Sequence, residues 1–266
     1  MTAIISEPDA FGKRAAPMPL RRLLRAYLAE AGYETLSSLR TPAFAIPFLV
    51  IPVAVYLLFG VVIASDDWGP GIANYLFSGF SVLAAMMPAI FVGCVGLALE
   101  REGGLLKLKR ALPMPAGANL IAKMLTSVIV GAMALSLVTA VALIAGKITI
   151  SLPQVLTIWG VMVIGTIPFF AIGFFIGSIA SGSAAPAYGN LVFLPMMWLS
   201  GLFIPLPDFL ERWVVIWPAF HLNQLALGLA GITEFSFFPP SMAAGVLVGV
   251  TVLFGGLAIR RLARAG

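Results

Sequence analysis

The sequence predicts an all-α, polytopic membrane protein with six transmembrane helices. Three observations predict it. The 266-residue chain is 61% hydrophobic and only 10% charged, with a mean hydropathy of +1.04. Several apolar runs approach or exceed the roughly 20 residues that a helix needs to cross a ~30 Å hydrocarbon core. The runs are continuously apolar, whereas the strands of a β-barrel alternate. The six spans are read at about 42–64, 75–99, 120–145, 155–180, 184–204 and 241–259. A semi-polar stretch, 205–240, separates the last two. Residues 1–18 are expected to form a disordered N-terminus, and 19–266 a single transmembrane domain. The first forty residues hold no apolar core, so no cleavable signal peptide is expected and span one serves as the insertion signal. The single Cys94 excludes a disulfide framework within the chain and reads as a small buried residue.

Charge placement orients these spans. The N-terminal region carries Lys13, Arg14, Arg21, Arg22, Arg25 and Arg40. The loop between spans two and three, with the start of span three, carries Arg101, Lys107, Lys109, Arg110 and Lys123. The C-terminus carries Arg260, Arg261 and Arg264. Six alternating spans put these 14 of the 16 basic residues on one side. The other side keeps Lys147 and Arg212 against Asp66, Asp67, Asp208, Glu211 and Glu234. The positive-inside rule then predicts that both termini and the loop after span two are cytoplasmic. The pI of about 9.7 thus reads as orientation within a lipid bilayer and not as nucleic-acid binding. Lys123, about one turn into span three, is expected to snorkel to the interface.

Residues 19–40 precede the first span. Leu20, Leu23, Leu24, Tyr27, Leu28 and Ala31 recur at helical spacing, with Arg21, Arg22, Arg25 and Glu30 largely off that stripe. This predicts an amphipathic helix in the cytoplasmic interface, which either anchors span one or clasps a partner subunit.

The spans hold essentially no ionisable residue. Ion-driven pumps usually place Asp, Glu or His within the membrane, and intramembrane hydrolases need a nucleophile and base or a metal. His221 is the only histidine, and neither HExxH nor GxSxG occurs, so no catalytic or metal-ligating residue is assigned and enzymatic activity is not expected. The nearest approach to a P-loop, "VALIAGKIT" at 141–149, has Val141 where the first glycine belongs and Ile148 where Ser or Thr would meet Mg²⁺. If this chain does work, the energy must then come from another chain.

Smaller signals lie along spans four and five. Gly173, Gly177 and Ser181 repeat every four residues, a stripe for close helix packing within one subunit or at a dimer seam. Asn190, Pro195 and Trp198 in span five are candidates to line a translocation path, or Asn190 and Pro195 simply stabilise a kink. His221, after Pro218, is either a satisfied interfacial histidine or a substrate or gating contact.

The densest charge is an island. Glu100, Arg101, Glu102, Lys107, Lys109 and Arg110 fall within eleven residues, flanked by apolar runs. Gly103 and Gly104 break span two. Leu105, Leu108 and Leu112 then follow at i, i+3 and i+7, and Pro113 and Pro115 stop the element. This predicts a short amphipathic cytoplasmic helix. It is either a topological loop, or its stripe meets a protein groove or the membrane surface.

Here "ALEREGGLLKLKRALPMP" resembles the loop after the second span in permease subunits of ABC-2-type transporters, through Glu100, Arg101, Glu102, Gly104, Leu106 and Pro113. Leu105 and Leu112 stand where that family often has threonine. A second stretch, "LSGLFIPLPDFLERWVVIWPAFHLNQLALGL" at 199–229, is similar to the family's segment after span five. The resemblance implies a permease subunit of an ABC exporter, with 100–118 as the coupling loop that docks on a separate ATPase. Glu100, Arg101, Glu102, Gly104, Leu105, Leu106, Leu108, Leu112 and Pro113 would carry that coupling. It implies two ATPase copies binding ATP and Mg²⁺, no cofactor on this chain, and a second permease copy, expected as a homodimer. It also implies re-entrant helices within 205–240, where Pro205, Pro207 and Pro218 act as breakers and Trp213 and Trp217 suit the interface, and location in a bacterial inner membrane. An apolar, uncharged path suggests an amphipathic or lipid-like substrate. The alternatives are a secondary transporter or channel, which the charge-free spans disfavour, and a membrane scaffold without a path.

Topology gives the first testable expectation. Reporter fusions at Asp67 and Ala184 should place the first outside and the second in the cytoplasm, and the opposite result at either position would overturn the orientation.

Overall fold

A computed structural model describes residues 19–64, 71–111, 117–203 and 208–264, apart from the side chains at 110, 111, 208 and 211. Residues 1–18, Asp66, Asp67, Leu112, Pro113, Pro115, Pro205 and Pro207 lie outside the described residues. Among the described residues every regular element is helical. In chain order the α-helices are α1 (Leu20–Arg40), α2 (Pro42–Tyr56), α3 (Ile72–Phe91), α4 (Leu97–Glu102), α5 (Leu105–Ala111) and α6 (Ala118–Ala145). They continue with α7 (Leu152–Ile164), α8 (Thr166–Ile179), α9 (Ala185–Leu199), α10 (Asp208–Glu211), α11 (Pro218–Leu229) and α12 (Pro240–Arg264).

Among the described residues five continuous rods are long and apolar enough to cross a membrane: Pro42–Ile63, Ile72–Glu102, Ala118–Ala145, Leu152–Ile179 and Pro240–Arg264. They coincide with the first four predicted spans and the sixth. The predicted fifth span is realised as α9, with only 15 residues. At ~1.5 Å per residue that is about 22 Å, short of a ~30 Å hydrocarbon core.

Two rods contain wider turns. Leu57–Ile63 continues α2 as π-helix, and Val92–Gly96 joins α3 to α4 in the same way. Each follows a proline, Pro52 and Pro88 respectively. Proline removes an N–H from the ladder, and local π adjustment is one means by which a membrane helix re-satisfies its backbone.

Helix α3 is the axis of the bundle. It is buried along nearly its whole length and packs on α2, α6, α7, α8, α9 and α11. Helix α6 meets its neighbours through Ala118, Ala122, Thr126, Val130, Ala134, Val138 and Ala142, buried at a strict four-residue interval. These residues are small or β-branched, so the facing helices can come close without long side chains between them. Helix α1 lies against α6, and the Thr35 and Thr126 hydroxyls share a buried hydrogen bond of 2.9 Å.

The glycines of α8 are used inside the chain. A Cβ on Gly177 would stand 2.5 Å from the Cys94 carbonyl oxygen and 2.7 Å from that of Gly93. On Gly173 it would collide with the Ile90 carbonyl. A Cβ on Gly93 would in turn meet the Phe174 nitrogen at 2.7 Å. The backbones of α8 and the π turn after α3 therefore touch, and Gly173 and Gly177 pack within the chain. Ser181 is exposed, in the turn before α9, where its hydroxyl accepts from the Ala184 N–H.

The stretch 205–240 holds α10, a 3-10 turn at Val214–Ile216, α11 and a 3-10 turn at Thr233–Phe235. Helix α11 starts with Pro218 at its first turn and inserts among α3, α7 and α12. Its buried polar groups are all engaged in part. Ser78 donates to Asn223 Oδ1 at 2.6 Å. Gln224 donates to the Phe235 carbonyl and accepts from the Phe237 N–H at 2.7 Å. Leu222 presses on Gly165, and the rod Leu152–Ile179 is interrupted at that residue.

A Cβ at the α3–α8 crossing has backbone on both sides and cannot be relieved by a rotamer change. Gly173→Val should therefore destabilise by about 3 kcal/mol or more, read as thermal unfolding in detergent micelles. Gly160→Val is the control, because nothing lies within 4 Å of that position. Equal midpoints for the two variants would mean that the crossing is loose.

Candidate functional site

The site is built at the end of the bundle where the rod containing α3 and α4 stops. Gly103 closes α4, and Gly104 takes a left-handed backbone (φ +72°) that turns the chain sharply into α5. A side chain would strain that turn. The predicted break after span two and the short helix behind it are both found here.

The three charged residues that end α4 point in three directions. Glu100 is buried and accepts from Asn119 Nδ2 of α6 at 2.8 Å and from Lys109 Nζ of α5 at 2.8 Å. Arg101 donates from Nη1 to the Gly177 carbonyl at 2.8 Å and the Ala180 carbonyl at 3.2 Å, at the C-terminal end of α8. A cation there satisfies carbonyls that have no helical partner and meets the negative end of the helix dipole. Glu102 accepts from the Gly182 N–H at 2.6 Å, in the turn between α8 and α9.

Around Glu100 the charges form a knot. Lys109 Nζ is 2.9 Å from Glu30 and 3.8 Å from Glu34, and it also donates to Asn119 Oδ1 at 2.8 Å. Lys123, 1% exposed, bonds Glu34 and stands 3.1 Å from Glu100. Three carboxylates, two ammonium groups and one amide thus join α1, α4, α5 and α6. Lys123 does not snorkel. The nearby carboxylates turn it inward, since a buried ammonium is tolerated only when paired. Burial works to lower the Lys109 pKa. Its hydrogen bonds to Glu100 and Glu30, with the further Glu100 and Glu34 charges, outweigh burial and hold it above the ordinary 10.5. The stability contributed by its ammonium is therefore kept as pH rises to 10.5 and is lost as pH rises through the raised value, while on the acid side the pairing is lost as the partner carboxylates protonate.

With Lys109 tied inward, the other side of α5 faces out. Leu105 is 41% and Leu108 59% exposed, with Lys107 exposed between them. Leu106 is half-buried and lines a cavity of about 340 Å³ with Arg101, Lys107 and Leu262. Leu112 and Pro113, expected in the same element, lie outside the described residues.

The candidate path residues differ in exposure. Asn190 and Trp198 lie on the exposed face of α9 with Tyr188, Leu191 and Leu194, while Pro195 is half-buried inside that helix. His221 is buried in α11, with Nε2 2.8 Å from the Val215 carbonyl and its ring between Phe220 and Phe238. Its Nδ1 has no hydrogen-bond partner among the described residues.

Sequence reading missed Glu30, Glu34 and Asn119. Glu30 sat off the apolar stripe, yet it faces Lys109. Leu20, Leu24 and Leu28 of that stripe are exposed. The available signal was the i, i+4 pair Glu30 and Glu34 on one face of the helix before span one, together with a lysine, Lys123, at the start of span three.

Lys123→Met should leave the Glu34 and Glu100 carboxylates short of a partner and cost about 3 kcal/mol, the low end for breaking a buried pair because Glu34 keeps some exposure. Lys107→Ala, on the exposed face, should stay within about 0.5 kcal/mol. Urea titration in micelles measures both. A Lys123 variant as stable as the wild type would show that the knot is not needed for the fold.

Residues 26–237 match the family model described as ABC-2 type transporter. The match spans α1 from Ala26 through the knot to the 3-10 turn after α11. A relative named "Putative transport permease YvfS", from Bacillus subtilis (strain 168), is 24% identical over 195 residues, covering 70% of this chain and 78% of the relative. The helices that can cross a membrane and the family match agree: the chain is a multi-pass membrane transport permease that belongs to the ABC-2 type transporter family.

Proposed function

We propose that this chain is the membrane subunit of an ATP-driven exporter in which α5 couples the bundle to a separate ATPase. The observation that carries the proposal is the mounting of α5. One side is fixed by Lys109 to α1, α4 and α6, and the other presents exposed Leu105 and Leu108, outside the core formed by the described residues. A short helix held by charge and showing apolar side chains suits a hydrophobic groove on a second protein. In this reading Glu100, Arg101 and Glu102 do not touch the ATPase. They bind the coupling helix to α6 and α8, so that a push on α5 reaches three parts of the bundle.

The rest of the reading follows the same logic. Both termini and α5 face the cytoplasm of a bacterial inner membrane, and α9 counts as the fifth of six spans. Two copies of this chain and two ATPases, which bind ATP and Mg²⁺, form the working exporter. The exposed face of α9, with Asn190 and Trp198, is the candidate wall of a path between the copies, because an exposed amide within the membrane calls for a polar partner. Helix α11 re-enters the outer half of the membrane. The path is apolar and suits an amphipathic or lipid-like substrate.

Leu108→Asp tests the coupling role. Burying a side chain of this size is worth roughly 1.5–3 kcal/mol, so ATPase capture should weaken at least about tenfold. Lys107→Ala should matter less, as a rim charge chiefly tunes association. The measurement is pull-down of the ATPase with substrate-stimulated ATP hydrolysis, normalised to permease amount. Wild-type capture and hydrolysis by the Leu108 variant would reduce α5 to a topological anchor.

A further inference from the structure

We propose that the cavity between the end of α8 and the end of α12 is a binding site for the phosphate headgroup of an anionic phospholipid. The cavity is about 490 Å³ and is lined by Arg101, Arg260, Arg261 and Arg264, with Ser178, Phe175 and Leu257. Four guanidinium groups around one hollow repel each other, and none forms an ion pair with a carboxylate among the described residues. Glu102, the carboxylate next to Arg101, is turned to the Gly182 N–H. An anion would relieve that repulsion.

Two of the arginines are held in place. Arg101 is fixed by the Gly177 and Ala180 carbonyls through Nη1. Arg261 donates from Nε to the Ser178 carbonyl at 3.2 Å. Each keeps further N–H donors, and a guanidinium matches phosphate oxygens in a fork that lysine cannot make. Arg260 and Arg264 project from the same last turns of α12 and are exposed. Orientation of the chain alone would need positive charge at this end, but not arginines gathered around a cavity.

The apolar side of the cavity selects a lipid over a free anion or an acidic protein surface. Phe175 and Leu257 line it, and Phe175 packs on Phe254 at 5.6 Å between ring centroids. Exposed Leu257, Leu253 and Val252 continue the apolar surface along α12 away from the arginines. A headgroup in the cage would lay its acyl chains along that track. Basic pockets at the ends of membrane helices bind anionic headgroups in this manner. The site lies beside Arg101, so an occupied cage would hold α4 against α8 and α12. The inference needs this end of the bundle to sit at a membrane surface, and it does not depend on α5 docking an ATPase.

Native mass spectrometry of the purified full chain, released from micelles holding equal phosphatidylglycerol and phosphatidylcholine, tests it. The wild type should retain phosphatidylglycerol in preference to phosphatidylcholine. Glycerol 3-phosphate at the same concentration should not displace it. Each arginine near the surface is worth about fivefold in affinity, so Arg260→Gln with Arg264→Gln should weaken retention on the order of 25-fold. Arg260→Lys with Arg264→Lys keeps the charge that orients α12 and should fall between. Equal retention of the two lipids by the wild type overturns the proposal, as does a Gln pair that binds like the wild type. Displacement by glycerol 3-phosphate would make this a soluble-anion site and also overturns it. If the Gln pair does not fold, the wild-type lipid preference and the competition decide. No ATPase is present, so failure here leaves the permease reading untouched, and loss of ATPase capture leaves this site untouched.

Discussion

An ammonium group removed from water costs several kcal/mol unless opposite charge and hydrogen bonds replace its hydration. Lys123 meets that demand with carboxylates from two other helices, Glu34 of α1 and Glu100 of α4. Lys109 repeats the arrangement from α5 with Glu30, Glu34 and Glu100. Neither lysine can be satisfied by its own helix. The knot therefore fixes where α1 lies on α6 and how α5 hangs from α4. It also accounts for polar residues at the edge of an apolar bundle. They are placed so that three carboxylates and two cations become mutually necessary.

The deeper part of the bundle is organised by the opposite condition, the absence of side chains. Gly93, Gly173 and Gly177 let α8 touch the π turn after α3 at backbone distance. Dispersion gains strength at such close approach, and in a bilayer packing of this kind must replace the hydrophobic effect between helices. The π turn follows Pro88 and brings Gly93 to the crossing. Arg101 then secures the far end of α8 by its carbonyls. The α3–α4 rod and α8 are thus joined twice, by glycine contact in the apolar region and by a charged clamp at the rim. A displacement of α5 would be passed through α4 to both joints, which is the mechanical content of a coupling role for this loop.

Helix α11 shows how a polar segment can be kept in such a bundle. Asn223 and Gln224 are nearly completely buried, and each finds partners from a different element. His221 is bonded through one ring nitrogen only. It is buried among aromatic neighbours, whereas Asn190 and Trp198 are exposed on α9.

Several features were legible in the sequence because they depend on local order. Hydropathy located five of the rods, helical spacing located α1, and the Gly103–Gly104 pair located the turn into α5. The family's loop pattern, Glu100–Arg101–Glu102 before a glycine, was readable in the same way. Tertiary structure alone decided the partners. Glu34 and Lys123 are 89 residues apart, and Arg101 and Gly177 are 76 apart. No periodicity within either segment encodes such a pair. Periodicity also could not say which side of a glycine stripe would be used, that α9 would stop at 15 residues, or that Glu30 would turn toward Lys109. A repeat in sequence specifies which residues share a face. Which face meets which is set by the joint packing of all the helices, and the cost of leaving a buried charge unpaired selects among those packings.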